Sequence, residues 1–259
     1  MTTAVVAPGP APQPAGPDPD SDIDLAAVAK LFTPAVVAAR AHTEELAFEQ
    51  LPGPTRELLG GYAAELRRQT FTAGRLAAAR ATAAIAGRPH WLDADDRGAP
   101  RWPDGTRGSL SHTNQLALAV AAVDQGDELG IDIEPLATGP GLLDALRYVC
   151  TPAERARVAA APVPELAVLR VFCTKEALYK AAPPEVQRGL TMQSVELDWT
   201  DPPGGDLDPQ AQPLTLRAVK GPVAGRTALC AVIGTHMVAA VTLPREPIHS
   251  TPTQDQDGQ

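Results

Sequence analysis

The chain has 259 residues, long enough to bury a substantial core in one domain or in two modest ones. Its 31 acidic and 22 basic residues give a net charge of −9, which argues against a general nucleic-acid or polyanion binder. No apolar run reaches the roughly 18 residues that a membrane-spanning helix needs, and the first residues lack the pattern of a signal peptide. Three scattered cysteines show no metal-ligand spacing, and together these features predict a reduced, cytoplasmic protein that contacts no membrane.

The N-terminal half is predicted to contain a strand, helices and a long loop. Residues 1–21 are rich in Pro, Gly and Asp and are predicted to be disordered. A strand is predicted over 35–43, and apolar residues recur at helical spacing over 55–86. Because glycines interrupt that second stretch, it is predicted to form two helices rather than one. The loop over 87–108 is rich in turn-forming residues. The interrupting glycines are Gly60, Gly61 and Gly74.

The C-terminal half alternates predicted hairpins with helices. Strands over 116–123 and 129–134 are predicted to form a hairpin through a turn at 125–127, and a second hairpin over 228–243 turns around Gly234. The residues from Thr151 to Glu154 are typical of a helix N-terminus with a capping box. Interspersed helices and antiparallel hairpins predict an α+β fold. The predicted helices span 141–149, 151–160 and 164–182, and the tail 246–259 is predicted to be disordered.

The segment GIDIEP at 130–135 carries two carboxylates within an apolar strand. Residues two apart on a strand share a face, so Asp132 and Glu134 point the same way. Two explanations are open at this stage. The pair lies at a solvent-facing strand edge, or it binds a hard cation such as Mg²⁺, which prefers oxygen ligands. A metal site would need a third ligand.

The segment VFCTKEALYKAA at 171–182 can supply that ligand. Glu176 and Lys180 are four residues apart and share a helix face, although a surface ion pair would also explain them. Apolar neighbours such as Phe172 and Leu178 indicate a buried helix, which weakens that explanation. Two of only four lysines lie in this segment, against eighteen arginines in the chain. Lys180 is therefore a candidate proton donor to a leaving phosphate oxygen, a role that arginine fills poorly.

Two further segments carry groups that could bind phosphate. His112 follows Ser109 and Ser111 at the entrance of a predicted strand, as a structural residue or as a donor to a phosphate. A Ser–His nucleophile pair is conceivable, but the chain has no GxSxG motif, which argues against hydrolase chemistry. Four arginines over 66–80 form either a solvated helix face or an anion pocket. They are Arg67, Arg68, Arg75 and Arg80.

In this order, FTAGRLAAAR, GAPRWPDGTRGSLSHT, GIDIEP and FCTKEALYKA resemble the motifs of the 4′-phosphopantetheinyl transferases. The resemblance runs from about residue 55 to 244 and is greatest to the surfactin- and enterobactin-type enzymes and their actinobacterial relatives. It implies transfer of the phosphopantetheine arm of coenzyme A to a serine of an apo acyl or peptidyl carrier protein, with release of 3′,5′-ADP. It also implies a monomeric pseudo-dimer of two similar α/β halves, 22–124 and 125–245, with the active site in the cleft between them.

The resemblance also assigns roles to individual residues. Asp132, Glu134 and Glu176 match the acidic ligands of Mg²⁺, with Mn²⁺ also possible. Glu176, directly or through a metal-bound water, is implied to take the serine proton, and Lys180 to protonate the leaving oxygen. His112 is implied to contact a phosphate of coenzyme A as part of the catalytic set. The full set of implied coenzyme A contacts is Arg67, Arg68, Arg75, Ser111, His112, Lys175 and Lys180.

Three departures from the family pattern concern substrate contacts. Phe172 stands where the family usually has tryptophan, and the residues at 181–190 lack the aromatics that relatives tend to carry. Ala99 stands where some relatives have a basic residue. Two other functions remain open: a degenerate paralogue that binds coenzyme A or carrier proteins without transfer, and a generic Mg²⁺-dependent phosphohydrolase. The intact acidic triad and Lys180 favour the active transferase.

Overall fold

Helices and antiparallel strands alternate along the computed structural model, which describes residues 23–33, 35–59, 64–95, 98–136, 140–200 and 213–245. The predicted disorder of 1–21 and 246–259 lies outside these residues. The helices are α1 (Leu25–Ala29), α2 (Gly53–Glu57), α3 (Glu65–Ala86), α4 (Pro140–Asp144), α5 (Leu146–Val149), α6 (Pro152–Ala160), α7 (Pro164–Ala181) and α8 (Pro184–Gln187). The strands are β1 (Val37–His42), β2 (Asp93–Ala94), β3 (Pro100–Arg101), β4 (Thr106–His112), β5 (Leu116–Val123), β6 (Asp127–Pro135), β7 (Glu196–Trp199), β8 (Leu214–Lys220), β9 (Thr227–Ile233) and β10 (His236–Pro244).

A three-stranded antiparallel sheet of order β1-β5-β4 packs against α3. Its central strand β5 has the sequence LALAVAAV and is buried along both faces up to Ala122. The alanines at 117, 119 and 121 pack on the alanine-rich face of α3, because small side chains let a helix approach a sheet closely. The alternate residues Leu116, Leu118 and Val120 enter a second core on the other face. The two-residue period of a strand therefore sorts large and small side chains onto opposite faces.

Helix α3 is continuous over 22 residues, so the prediction of a break at Gly74 is wrong. Gly74 is buried, and a Cβ at that position would meet Leu110 Cδ1 at 3.6 Å, an ordinary contact. The flanking residues are strong helix formers, and one interior glycine costs only about 1 kcal/mol. The helix ends at Gly87, whose φ of 73° is the left-handed conformation typical of a C-terminal glycine. Gly60 and Gly61 lie outside the described residues.

A five-stranded antiparallel sheet of order β6-β10-β9-β8-β7 packs against α7. The predicted hairpin around Gly234 is confirmed as β9 and β10. Helix α7 lies so close to β6 that a Cβ at Gly130 would stand 2.0 Å from the Ala177 carbonyl oxygen. Only glycine fits this close approach of helix and strand backbones. Gly130 therefore brings Glu176, next to Ala177 in the chain, close to the carboxylates of β6.

The predicted pairing of 116–123 with 129–134 is wrong, although both strands exist. Strand β5 already pairs with β1 on one edge and β4 on the other, so β6 pairs with β10 in the second sheet. Strand β4 itself was predicted to be a loop up to residue 108. Its inward residues are small polar groups, Thr106, Ser109 and Ser111, which do not give an apolar strand pattern.

The two sheets meet where β4 lies beside β6. Ser109 Oγ accepts a hydrogen bond from the Ile131 backbone N–H at 3.1 Å, so a side chain links strands of different sheets. The segment around α1 fills the core that both sheets share, with Val28, Leu31 and Phe32 buried there. None of the described helices has the length and apolar character required to cross a bilayer.

Candidate functional site

A cavity of about 310 Å³ opens where the end of β4 meets β6 and α7. Three segments that are distant in sequence line it, and each contributes residues that the sequence analysis had singled out. Its lining residues are Leu110, Ser111, His112, Asp132, Glu134, Phe172, Glu176 and Lys180. The fold thus brings the three predicted carboxylates, the predicted lysine and the predicted histidine to one place.

Lys180 and Asp132 form the central ion pair of this cavity. Lys180 Nζ donates to Asp132 Oδ1 at 2.6 Å, to Ser111 Oγ at 2.8 Å and to the Ile131 carbonyl at 3.2 Å. Ser111 Oγ in turn donates to Asp132 Oδ1 at 2.7 Å. The Asp132 side chain is only 4% exposed, so its charge is offset by this lysine rather than by water. Ser111 therefore links both charged side chains to β4 by hydrogen bonds.

The second oxygen of Asp132, Oδ2, is buried and has no hydrogen-bond partner among the described residues. The Cys173 thiol lies near it: burial, followed by the Asp132 charge, raises the pKa of this thiol well above its usual value. Cys173 Sγ nevertheless donates to the Met237 carbonyl at 3.6 Å. A buried carboxylate oxygen without a donor is costly and is suited to a cation.

Glu134 and Glu176 are half-buried and repel Asp132. Burial raises the pKa of Glu134 to about 7, the Asp132 and Glu176 charges add to the rise, and Lys180 opposes it. Burial likewise raises the pKa of Glu176, with Lys180 opposing and Asp132 adding to the effect. Three carboxylates therefore face a single lysine, which leaves an excess of negative charge when all are ionised.

The donor set fits a hard divalent cation in both chemistry and charge. Mg²⁺ prefers carboxylate oxygens, and three carboxylates line this cavity, one of which, Asp132, has an oxygen without a hydrogen-bond partner among the described residues. As the side chains stand, no group of three His, Cys, Asp or Glu residues within the described ranges could hold a metal ion. The Lys180 ammonium is instead the cation that neutralises Asp132. Asp132, Glu134 and Glu176 are thus suitable ligands that are not arranged around an ion in this structure.

His112 contributes a ring nitrogen to the cavity. Its Nδ1 lies 3.2 Å from the Thr113 carbonyl oxygen, which can only accept, so Nδ1 carries the proton of this contact. Burial lowers the pKa of His112, and the nearby Arg67 and Lys180 charges lower it further, against opposing effects of Thr113 and Asp132. The neutral ring therefore presents Nε2 without a proton until an anion raises its pKa.

Arg75 is a buried cation of α3 that lines neither this cavity nor the two that adjoin it. It is 5% exposed, its guanidinium lies 4.6 Å from the Phe71 ring centroid, and its Nε has no hydrogen-bond partner among the described residues. Burial lowers its pKa to about 10, and the Arg67 charge adds to this effect while Asp93 opposes it. The Arg67 charge lowers the pKa of both Arg75 and His112, so Arg67 lies within electrostatic range of each. Arg68 faces elsewhere, with Glu65 at 3.8 Å and the Phe48 ring at 5.9 Å.

Lys175, for which the resemblance had implied a coenzyme A contact, does not line the cavity of Asp132 and Lys180 but lines an adjoining cavity of about 240 Å³. Its side chain is 2% exposed and points into the protein. Its Nζ donates to Glu154 Oε2, the Val149 carbonyl and the Met192 carbonyl, at distances from 2.7 to 2.9 Å. An ammonium has three protons, so all of them are used. Lys180, not Lys175, is the lysine of α7 that reaches the cavity.

Two further cavities adjoin the first. One of about 640 Å³ shares Leu110 and Lys180 with it and has Ala99, Arg101 and Trp102 along its wall. The other, of about 240 Å³, shares Glu176 and is mostly apolar. Ala99, the position where some family members carry a basic residue, therefore lies on the wall of the largest of these three cavities.

Two residues that shape the site had no predicted role in it, although Glu154 was predicted to belong to a capping box. Ser109 links β4 to β6, and Glu154 holds Lys175. The SLS alternation over 109–111 could have indicated a strand with both hydroxyls on one face. The apolar neighbours of Lys175 within one helical turn could have indicated an inward lysine that needs a buried carboxylate.

Comparison with known proteins identifies two matching family models. Residues 55–122 match the 4′-phosphopantetheinyl transferase N-terminal domain. Residues 128–232 match the 4′-phosphopantetheinyl transferase superfamily. The boundary between the two matches falls in the turn that leads from β5 to β6, where the chain passes from the first sheet to the second.

Several curated proteins are similar to the chain. It is 36% identical over 146 residues to 4′-phosphopantetheinyl transferase Npt of Nocardia iowensis, covering 56% of this chain and 64% of that protein. It is 38% identical over 134 residues to 4′-phosphopantetheinyl transferase Svp of Streptomyces mobaraensis, covering half of each chain. It is 34% identical over 173 residues to 4′-phosphopantetheinyl transferase PptT of Mycobacterium tuberculosis, covering 62% of this chain and 75% of that protein.

Proposed function

Because the chain belongs to the 4′-phosphopantetheinyl transferase superfamily, we propose that it moves the phosphopantetheine arm of coenzyme A onto a serine of an apo acyl or peptidyl carrier protein. The serine oxygen forms a bond to the phosphorus that carries the arm. The bond from that phosphorus to the bridging oxygen breaks, and 3′,5′-ADP leaves with that oxygen. The observation that supports this most strongly is that Asp132, Glu134, Glu176, Lys180 and His112 all line one cavity.

The cationic side of the site suits a substrate with several phosphates. Arg75 and Arg67 offer guanidinium groups, and a guanidinium binds phosphate oxygens with paired hydrogen bonds. His112 Nε2 donates to a phosphate oxygen once the phosphate charge has raised the pKa of the ring. Ser111 aligns Lys180 with Asp132 and is part of the same binding surface.

Asp132, Glu134 and Glu176 are the residues that would hold Mg²⁺, with Mn²⁺ an alternative. When bound, such an ion offsets the charge of the diphosphate and of the carboxylates. Such an ion would offset the Asp132 and Glu176 charges, which add to the burial that raises the pKa of Glu134.

Glu176 and Lys180 move the protons of the reaction. Glu176 takes the serine proton as the new bond forms. In the metal-free protein, burial raises the pKa of its carboxyl group. Lys180 donates a proton to the leaving phosphate oxygen, and its contacts with Ser111 and Asp132 keep the ammonium at the base of the cavity. The apolar cavity next to Glu176 is suited to the uncharged part of the arm.

The two helix-on-sheet layers support the proposal that residues 22–124 and 125–245 are the two halves of a pseudo-dimer. Helix α3 covers the first sheet and α7 the second, and the cavity lies between the sheets. We propose that the protein acts as a cytoplasmic monomer, because both halves of the site come from one chain.

Intact-mass measurement of an apo carrier protein tests this function. The carrier is incubated with the enzyme, coenzyme A and Mg²⁺, and a parallel reaction contains EDTA instead of the metal. The proposal predicts that the carrier gains the mass of one phosphopantetheine arm only with the metal present. Coenzyme A binding without any mass gain across acyl and peptidyl carriers would contradict it and favour a binding paralogue. Coenzyme A cleavage without a carrier would favour a phosphohydrolase.

A further inference from the structure

A buried ion pair lies directly behind the candidate site. Lys175 Nζ and Glu154 Oε2 are 2.7 Å apart, and the two side chains are 2% and 0% exposed. Burial lowers the pKa of Lys175, while the bond to Glu154 opposes that change. Neither group faces the cavity that holds Asp132 and Lys180, so the pair makes no contact there with a substrate phosphate.

Every hydrogen-bonding atom of this pair is used to tie separate segments together. Lys175 also donates to the Val149 carbonyl at the end of α5 and to the Met192 carbonyl that follows α8. Glu154 Oε2 accepts from the Thr151 N–H, and Oε1 accepts from the Leu197 N–H, both at 2.7 Å. One ion pair therefore joins α5, α6, α7, the segment before β7 and β7 itself.

Stability alone gives this pair little reason to exist. Removing two charges from water is costly, and well-packed apolar side chains often replace a buried pair without loss of stability. The pair instead fixes the relative positions of the segments that it joins, because a charged network whose hydrogen bonds are all satisfied has few alternative arrangements. Lys175 is adjacent in sequence to Glu176, and successive residues on a helix point about 100° apart.

We propose that Lys175 and Glu154 are positioning residues that fix the rotation of α7 and thereby hold Glu176 toward the cavity. The contact between Gly130 and Ala177 fixes how close α7 lies to β6. The three bonds of Lys175 fix how the helix is turned about its own axis. This proposal rests on the proposed function, in which Glu176 takes the serine proton and binds the metal. Displacement of a reacting group by about 1 Å can lower a rate by about 100-fold.

The decisive variant replaces both charges with apolar groups, Lys175→Met with Glu154→Leu. Melting temperature, kcat, KM for coenzyme A, and the stabilisation of the protein by Mg²⁺ alone are measured. The double variant should remain folded, and its KM for coenzyme A should change less than its kcat, because Arg75 and His112 are untouched although Lys175 also lines the cavity of about 240 Å³. Its kcat should fall by about tenfold or more, and its stabilisation by Mg²⁺ should weaken, because both depend on Glu176.

The matched control is Lys220→Met, at an ion pair of the same 2.7 Å length between Lys220 and Glu196. The Lys220–Glu196 pair joins β8 and β7 of the five-stranded sheet, and the Lys220 side chain is 69% exposed. The Lys220→Met variant should change neither kcat nor the stabilisation of the protein by Mg²⁺. A folded double variant with wild-type kcat and a wild-type response to Mg²⁺ would overturn the proposal.

The conservative variants Glu154→Asp and Lys175→Arg provide the same test if the double variant does not fold. Each keeps the charge but changes the reach of the side chain, so each should lower kcat more than it raises KM. Failure of all three variants to fold would also contradict the proposal, because the pair would then serve folding rather than Glu176. A wild-type protein that transfers nothing refutes the proposed function instead, and the response to Mg²⁺ alone still decides whether the pair positions Glu176.

Discussion

Glu134 shows most clearly how the cavity is electrostatically arranged. It shares one face of β6 with the buried Asp132, and Glu176 approaches from α7. Its pKa of about 7 is a consequence of that crowding and of burial. A group with a raised folded-state pKa gives its full stabilisation below its ordinary pKa, and this stabilisation is lost as pH rises through the folded-state pKa.

The first prediction is that the metal-free protein loses stability as pH rises from about 5 to 8, because Glu134 must give up a proton in a negatively charged site. Thermal unfolding in EDTA across this range measures the effect. Glu134→Gln should flatten the dependence, because the amide cannot ionise. Mg²⁺ should restore stability at the high-pH end of the wild-type curve. An identical pH dependence in the wild type and the variant would show that Glu134 is not the group responsible.

The second prediction concerns His112, whose pKa is lowered in the free protein. A bound diphosphate raises that pKa, so binding takes up a proton and weakens as pH rises through the bound-state value. Calorimetry with coenzyme A in EDTA at pH 6 and pH 8 should show tighter binding at pH 6. His112→Gln should lose most of this difference while keeping the size of the side chain. Retention of the full difference in the variant would exclude His112 as the coupled group.

At the residue scale, the strand period predicted that Asp132 and Glu134 share a face, and the helix period predicted the same for Glu176 and Lys180. That the two pairs belong to one site was implied by the family resemblance and not by their spacing. The sequence analysis assigned both Lys175 and Lys180 to coenzyme A, although the apolar neighbours of Lys175 could have indicated that it faces inward. Only the packing of α7 against α6 and β7 determines that one lysine faces inward and the other faces the cavity.

The relation between α7 and β6 is the element-scale feature on which the site depends. Asp132 and Glu134 lie on β6, and Glu176 and Lys180 lie on α7, so the distance between the two elements sets the size of the cavity. Gly130 allows their backbones to touch. A larger residue at this position would push the helix outward and separate the carboxylates.

The third prediction is that Gly130→Ala destabilises the protein by about 3 kcal/mol and also lowers activity, because its Cβ would collide with backbone rather than with a movable side chain. Chemical denaturation measures the free energy of unfolding. Gly74→Ala in α3 is the matched control. Its Cβ would stand 3.6 Å from Cδ1 of Leu110 on β4, which is an ordinary van der Waals contact. That change should raise stability by about 0.5–1 kcal/mol, because alanine is the better helix former. A neutral effect at Gly130 would mean that α7 can shift without consequence.

Elements with a strong periodic pattern were predicted from the sequence, and those whose partners are distant were not. β5, α6, α7 and the β9–β10 hairpin follow directly from hydrophobic spacing and a capping box. β4 was missed because small polar residues face inward along it. The pairing of β6 with β10 rather than β5 depends on strand order in the sheets, which local sequence does not encode.

At the scale of the whole molecule, two helix-on-sheet layers meet along β4 and β6. The shared core between the sheets includes residues from the α1 segment, so the N-terminal part of the described chain helps to hold the layers together. The cavity lies at one end of this junction. Arg107 and Arg245 pair with Asp124 and Glu128 at another part of it, which ties β4 and β6 to the end of β10. The site is therefore formed by the junction of the two layers.

The α+β character of the fold was predictable from alternating helices and hairpins, and the order of the motifs indicated the family. The meeting of the two layers could not be read from local pattern. The junction of the two layers depends on Ser109, Gly130 and the α1 segment. Their sequences show no motif, and their contribution comes from contacts with residues that are distant in sequence.

The central claim is that this protein transfers phosphopantetheine with Glu176 as the group that takes the serine proton. It is tested most directly by the rate at which an apo carrier gains mass with the wild type and with Glu176→Gln, at saturating coenzyme A and Mg²⁺. The account predicts steady modification by the wild type and a rate lower by about 100-fold or more in the variant, with the fold intact by thermal unfolding. Turnover by the variant at close to the wild-type rate would contradict it.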